Sequence, residues 1–470
     1  MRKIYWYLTS FVRKYGIILV VTIVGGAILF SVILPTLLHQ FEKRSTRYVG
    51  VVGQFTLDRL PDFITKQLSV GLTTVNPDDT VSPVLAERWT AEQDGTSYRF
   101  VLKDGVTWQD GTPLTTDTIQ LYLPDVETII TPRDIVFKLP APYSPFPSVV
   151  STPLFRDGQL TKWYFFKKPT LVGVGSDFKI ADYTKKGQSS NLAELIVESK
   201  TERFVYRFYL TEEDVITAFK RGEVDQVKDL AKIWSIMQWD SVATTASLHP
   251  DQYSAIFFNF RNPLFTKNVR QALAYSINKP GSERRAVSPI NSLSWAYYSG
   301  SKSYDYDLSR AIDRLLEEQP QQKIEFTLTT TTLFEDAATK IQTEWQEFGT
   351  KAVEACEQSS SIQDKSVCPN LAITVNLRIA NFPDTTNFDT ILIGQAAPPD
   401  PDQYELWHSN EPTNFSGYKN TRIDNLLEKG RQTSDKSERT QLYQEFQQFL
   451  TEDAAAIFLE HLTNYQIERI

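Results

Sequence analysis

Only two cysteines, Cys356 and Cys368, and four histidines, at 39, 249, 408 and 461, occur in 470 residues. A two-cysteine metal site would need partners that histidines so scattered do not supply. No GxSxG, HExxH, Walker A or GxGxxG pattern is present, so neither nucleophile, metalloprotease helix nor phosphate loop is in view. Carboxylates number 57, so some pair lies close by chance and none is nominated as an acid–base dyad. The expectation is a chain that is not an enzyme and carries no cofactor and no metal. Positive charge is also in deficit. The formal net charge is −8, and removing Arg2, Lys3, Arg13 and Lys14 leaves −12 for residues 15 to 470, which argues against nucleic acid as a partner. No 20 to 50 residue repeat is visible, which removes solenoids and propellers.

One long apolar run stands out. Gly16 to Leu38 is uncharged over 23 residues, enough at ~1.5 Å per helical residue to cross a ~30 Å hydrocarbon layer. The four preceding cations place the N-terminus in the cytoplasm, although Lys43, Arg44 and Arg47 follow the run. Tyr5, Trp6, Tyr7 and Tyr15 suit an interfacial aromatic belt. A cleaved signal peptide would show a shorter apolar core and a small-x-small site; ILPTLLHQFEK offers none, and no lipobox cysteine is present. The reading is an uncleaved anchor with the bulk of the chain outside the membrane. There the two cysteines, 12 positions apart, can pair or remain free thiols.

About 420 residues are too many for one core of the usual size, so two or three lobes are expected. From Ser82 to Asp117 the chain reads SPVLAERWTAEQDGTSYRFVLKDGVTWQDGTPLTTD. Asp94-Gly95, Asp104-Gly105 and Asp110-Gly111 are turn dipeptides, and Tyr98, Phe100 and Leu102 alternate with polar neighbours, as in a β-meander with one buried face. Ile135 to Leu139 is a short strand. Arg203 to Leu210 alternates as a strand, Thr211 with Asp214 caps a helix holding Val215, Ile216 and Phe219, and Gly222 suits its end. Val269, Ala272, Leu273, Ser276 and Ile277 mark another helix face. Ile324, Phe326 and Leu328 form a strand, a helix carrying Ile341, Trp345 and Phe348 ends at Gly349, and Leu371 to Ile379 returns, a β-α-β crossover that favours parallel pairing. Asp435 with Glu438 opens a helix whose core face is Leu442, Tyr443, Phe446, Phe449 and Leu450.

The Ser82–Asp117 stretch resembles the signature of the family 5 extracellular solute-binding proteins, the peptide and nickel receptors of ABC importers. Three further stretches are similar to that family in the same order: YSAIFFNFRNPLFTKNVRQALAYSINKP from Tyr253, FDTILIGQAAPPDPDQYELWHS from Phe388, and the C-terminal helices from Asn414. GVG at Gly173 to Gly175 matches a family turn. APYSPFPS resembles the family's "PY-x-PF" turn, but the long helix that the family places before it has only about twenty residues available here, with Pro124 and Pro132 among them, and is reduced or lost.

The resemblance implies an α/β fold of the class II periplasmic-binding-protein type: two α/β lobes joined by a hinge plus a small β-rich subdomain, preceded here by one transmembrane helix. The domains implied are 1–15 cytoplasmic, 16–38 transmembrane anchor, 39–47 linker, 48–75 with 160–256 and 456–470 as lobe I, 76–159 as the β-rich subdomain, and 257–455 as lobe II. Crossings between lobes are expected near Phe257 to Arg261 and Ile457 to Tyr465. The function implied is capture of a short peptide or related small solute between the lobes, with a monomeric outer part delivering it to an ABC permease and its ATPase; the alternative is an anchored ligand sensor or adhesion module of the same fold. In family members that bind peptides, a carboxylate three residues before an Asp-Pro pair receives the peptide ammonium. The pair here is Asp400-Pro401, so that position is Ala397. Asp400 or Asp402 can substitute, or serve as a turn former. The other residues expected at the ligand are Asn259 at the crossing, Gln395 and Ala396 at a strand end, and Trp295 and Trp407 as aromatic walls or core packing.

Overall fold

The structure, a computed structural model, describes residues 45–162, 166–281, 283–360 and 362–470, with short helical pieces between 13 and 26. Most of the expected transmembrane segment 16–38 lies outside the described residues. Among those described, no helix is long and apolar enough to cross a membrane.

Among the described residues, ten strands join in one mixed sheet. In one half, Ser45–Val52 pairs in parallel with Glu202–Tyr209 and Gln226–Leu230, and Lys179–Lys185 and Leu192–Glu198 continue the sheet outward as antiparallel strands. In the other half, Ile324–Thr330 pairs in parallel with both Ile373–Ile379 and Thr390–Ala396. Two long strands, Val242–Phe258 and Ala456–Arg469, run antiparallel to each other through both halves, from Val242 opposite Arg469 to Phe257 opposite Ala456. Their register breaks between His249 and Tyr253. Pro250 has no N–H to give the ladder, so a break there is physically expected. Residues Gln252–Phe258 already pair with Thr390–Ala396, so the passage between halves lies earlier in the chain than 257 to 261; the second long strand makes it at His461 and Leu462.

Alternation along these strands builds separate cores. Tyr253, Ala255 and Phe257 point to a cluster with Leu427, Tyr443, Phe446 and Leu450 of helices Thr421–Gln432 and Lys436–Glu452. Ile256 and Phe258 point the other way, to Val269, Leu315 and Trp345 of helices Lys267–Tyr275, Leu308–Glu318 and Glu335–Gln358. Helices on both faces make this half an α/β lobe. In the first half, Val215 and Phe219 of helix Glu212–Lys220 pack on Val227 and Ile467. Thr211 caps that helix by accepting from the Asp214 N–H, and Asp435 accepts from the Glu438 N–H at the start of 436–452.

The β-rich part is a four-stranded antiparallel sheet in the order Ala86–Glu92, Ser97–Leu102, Asp134–Lys138, Glu127–Ile130. The glycines of all three DG dipeptides have positive φ, between 75° and 85°, and Tyr98, Phe100 and Leu102 are buried. The third dipeptide closes no sheet strand, only an isolated bridge from Thr107 to Pro113. Where the reduced helix was expected there is a single 3-10 turn, Thr116–Thr118, and the edge strand 127–130.

The crossover helix departs from expectation. It continues through Gly349 to Gln358, because Gly349 is where the helix presses on the returning strand; a Cβ there would sit 2.4 Å from the Ile373 backbone nitrogen. The helix ends instead where Cys356 is disulfide-bonded to Cys368 and Lys365 Nζ donates to the Cys356 carbonyl at 2.7 Å. Helix propensity alone makes Gly349→Ala stabilising by ~1 kcal/mol. We expect the opposite sign, a loss of roughly 1–3 kcal/mol from overpacking, read as a lower urea midpoint at unchanged m.

Candidate functional site

Strand direction locates a crevice. Gln226–Leu230 runs antiparallel to Ala456–Arg469 and therefore parallel to Val242–His249, toward the register break. Thr390–Ala396 runs antiparallel to Gln252–Phe258, with Ala396 opposite Gln252, and so approaches the same break from the other side. The parallel partners of each strand follow it. The carboxyl ends of both sets of parallel strands therefore converge on residues 249 to 252, and open α/β sheets bind ligands outside the carboxyl ends of their strands.

The segments that leave those ends carry apolar side chains into solvent. Ile233 is 70% exposed and Phe382 95%, and Leu210, Leu333 and Ile379 are exposed at the same edges, with Leu248 on the long strand just before the break. Their backbones are held. Glu212 accepts from the Ala231 N–H at 2.6 Å and the Trp234 indole N–H at 2.8 Å, which fixes the loop around Ile233. Arg378 donates to Thr329 Oγ1 at 3.2 Å and to the Asn387 carbonyl at 3.0 Å, bracketing the loop around Phe382. Rigid loops that present unburied apolar groups on facing rims are suited to closing on a ligand. Sequence reasoning missed these six residues; all but Leu248, which lies within Val242–Phe258, follow or end a strand, and that position was the available signal.

At the break itself, His249 Nδ1 lies 3.9 Å from Asp251 Oδ1. His461 is buried opposite Tyr253, and burial pushes its imidazole pKa down against a backbone hydrogen bond at Gln252. Neither the Tyr253 hydroxyl nor His461 Nδ1 has a hydrogen-bond partner among the described residues. The Ala397 N–H donates to the Asp251 carbonyl at 2.7 Å, which sets the exposed Asp251 carboxylate beside the strand end. Among the described residues no group of three or more His, Cys, Asp or Glu could hold a metal ion; His408 is buried, stacked on Tyr404 and bonded at 3.1 Å to Glu428 Oε1.

The expected site residues separate. Gln395, Ala396 and Ala397 lie at the carboxyl end of 390–396, on the crevice edge. Asn259 does not: the strand before it runs away from the break, and its side-chain amide donates to the Phe388 carbonyl at 2.8 Å at the far end of the lobe. Trp407 is fully buried against Phe257, Tyr418 and Phe458, so it packs a core and walls no cleft. Trp295 is anchored to the β-rich subdomain, its main-chain and indole N–H groups donating to the Asp78 and Asp79 carbonyls at 3.0 and 3.1 Å. Asp400 accepts the two-pronged Arg439 guanidinium at 2.6 and 3.2 Å and the Asp402 N–H at 3.1 Å, while Asp402 pairs with Arg431 at 2.7 Å. Both carboxylates are turn formers whose charge is already matched.

The model of the bacterial extracellular solute-binding proteins, family 5 middle, matches residues 80–121 and 121–417. The chain belongs to this family. Its relatives include the probable D,D-dipeptide-binding periplasmic protein DdpA of Escherichia coli (strain K12), 22% identical over 437 residues, 82% of this chain and 79% of DdpA. Among solved structures, the ABC transporter substrate-binding protein CtaP from Listeria monocytogenes superposes with a TM-score of 0.70 at 20% identity, covering 91% of this chain and 94% of CtaP. NikZ from Campylobacter jejuni, in complex with Ni(L-His), gives 0.67 at 21% identity, covering 90% and 94%. The shared fold is the mixed α/β architecture of family 5, whose members are extracytoplasmic solute-binding proteins.

Because Asp400 and Arg439 are both buried, removing one partner strands the other. Asp400→Ala is expected to cost about 3–5 kcal/mol of stability, measured by chemical denaturation, with a loss that double replacement of Asp400 and Arg439 by apolar residues largely restores.

Proposed function

We propose that the chain captures short peptides in the crevice between its two lobes, without catalysis, and hands them to an ABC permease. The observation that carries this reading is the pair of facing rims, Leu210 and Ile233 on one side and Leu333, Ile379 and Phe382 on the other, exposed at the strand ends that the hinge brings together. Lobe closure would bury that apolar surface on a ligand of varied side chains and low net charge. DdpA's description as dipeptide-binding supports the peptide class. An N-terminal anchor over residues 16–38 would keep the receptor beside its transporter and raise the effective concentration for docking.

The ammonium of a peptide needs a partner when enclosed, and Ala397 supplies none. Asp251, tied through its carbonyl to the Ala397 N–H and exposed toward solvent, is the carboxylate we assign to that task. A charge-assisted hydrogen bond is worth ~1.5–3 kcal/mol. Titration of the full-length chain with di- to hexapeptide pools should therefore show binding that weakens roughly tenfold to hundredfold in Asp251→Asn, with a similar loss for N-acetylated peptides against the wild type. Equal affinity for acetylated and free peptides would remove Asp251 from the site. Folded protein that binds no peptide at all would overturn the importer reading in favour of the sensor or a ligand of another class.

A further inference from the structure

A second cavity, of about 250 Å³, lies between the β-rich subdomain and lobe II, lined by Asp79, Trp89 and Ser144 on one side and Trp295, Lys436 and Arg439 on the other. None of the exposed apolar residues of the crevice rims lines it. It is smaller than the roughly 300–1,000 Å³ pockets that take drug-sized ligands. We propose that this cavity is a second binding site, for a free α-amino acid or zwitterion of that size, with the ammonium on Asp79, the carboxylate on Lys436 and the side chain against the Trp89 and Trp295 indoles.

Three observations converge on it. Asp79 is buried, yet its carboxylate meets only neutral donors, the Asn291 amide at 3.4 Å and the Ser294 hydroxyl, and no ion pair among the described residues engages it. A buried carboxylate without a cation is costly and is retained where something else completes it. The adjacent Arg439 is already matched by Asp400, so it does not serve. The second observation is Lys436, exposed at the mouth of the cavity 5.5 Å from the Trp295 ring centroid; it forms no ion pair within 4 Å among the described residues, and beside the Thr80 hydrogen bonds its charge helps hold the neighbouring Asp78 carboxyl below the usual carboxylate range. A cavity with a buried carboxylate lacking a cation and a lysine ammonium at its mouth suits a ligand with the same two charges in reverse, and its indoles suit an apolar side chain.

The third is rigidity. Asp79 is held at φ 59°, a conformation that persists in a non-glycine residue only when its surroundings over-determine it. Here they do: Trp295 donates to the Asp78 and Asp79 carbonyls, and the Asn291 amide donates to the Pro77 carbonyl at 3.2 Å. The carboxylate is thus fixed before any ligand arrives, and a bound zwitterion would bridge the subdomain to lobe II.

Burial, with the nearby Asp400 and Asp251 charges adding, pushes the Asp79 carboxyl up to about 6 against its Ser294 and Asn291 hydrogen bonds; Lys436 and Arg439 face it from the opposite wall. Because the folded value lies above the unfolded one of about 4, the stability tied to the neutral acid is full below pH 4 and lost as pH rises through about 6. Asp79→Asn should consequently raise Tm at pH 7 and leave it unchanged at pH 4.

The decisive experiment titrates the full-length chain, in detergent, with the twenty amino acids, their decarboxylated amines and their N-acetyl derivatives, followed by tryptophan emission and calorimetry. We expect one or a few amino acids to bind and perturb the emission, at least about tenfold weaker binding of the matching amine and N-acetyl derivative, and loss of binding in Asp79→Asn despite its higher Tm. Lys436→Met should weaken the amino acid at least about tenfold and leave the amine unaffected. Because the Asp79 and Asp251 charges interact, peptide affinity in the crevice is expected to change far less than amino acid affinity in both variants, which separates this site from the peptide reading. No amino acid binding to folded wild type, binding that survives both substitutions, or amines binding as tightly as amino acids would each overturn the proposal.

Discussion

The antiparallel pair formed by Val242–Phe258 and Ala456–Arg469 is the constraint on which the rest of the molecule depends. Both lobes are built on it, and the direction of each neighbouring strand is set by pairing with it. A continuous ladder would make the two halves one stiff sheet. Pro250, unable to donate, interrupts the pairing where the halves meet, and a bulged strand bends and twists more readily than a regular one. The same interruption decides where a ligand can go, because the carboxyl ends of the parallel strands arrive there from both sides.

Polar and apolar groups are distributed unequally around this frame. The rims of the crevice expose Ile233 and Phe382, groups whose natural state is burial, and leave that burial to a ligand or to closure. The contact between the β-rich subdomain and lobe II is the reverse. On that face of lobe II the charges of Asp400 and Arg439, and of Asp402 and Arg431, are matched within the lobe, and hydrogen bonds cross to the subdomain, from the Ser144 main-chain N–H to the Arg431 carbonyl at 2.7 Å and from the Trp295 N–H to the Asp78 carbonyl at 3.0 Å. Such a contact resists opening, since the hydrogen-bonded main-chain groups that cross it would have to separate. The expected mobile element is therefore the hinge at 249–253 and not the subdomain.

Local chemistry was legible wherever it acts over a few residues. The helix caps Thr211 and Asp435, the DG turns, the alternation of Tyr98, Phe100 and Leu102, and the parallel crossover from 324–330 to 373–379 all follow from spacing and side-chain type. Gly349 reads as a helix end because glycine is costly inside helices; it is kept because the Ile373 backbone passes too close for a Cβ, a relation between elements that no local pattern carries. Trp407 and Asn259 lie away from the crevice for a similar reason. Both stand next to motifs at the right sequence distance, but packing against Phe257, Tyr418 and Phe458 puts Trp407 in a core, and strand direction carries Asn259 to the far end of its lobe. Asp400 was readable as turn former or ligand, and only the position of Arg439, on a helix distant in sequence, decides between them.

By itself the sequence determined the class of fold, the family and the order of the elements, because these rest on composition, periodicity and short-range turn chemistry. Tertiary structure alone decided which residues face one another: Asp251 beside Ala397, the apolar side chains collected at two rims, Asp79 enclosed without a cation. Those relations depend on strand order and on a register break in a ladder closed between residues some two hundred positions apart. Long-range pairing of that kind is specified by the packing of whole lobes, and it leaves no signature within a single stretch of chain.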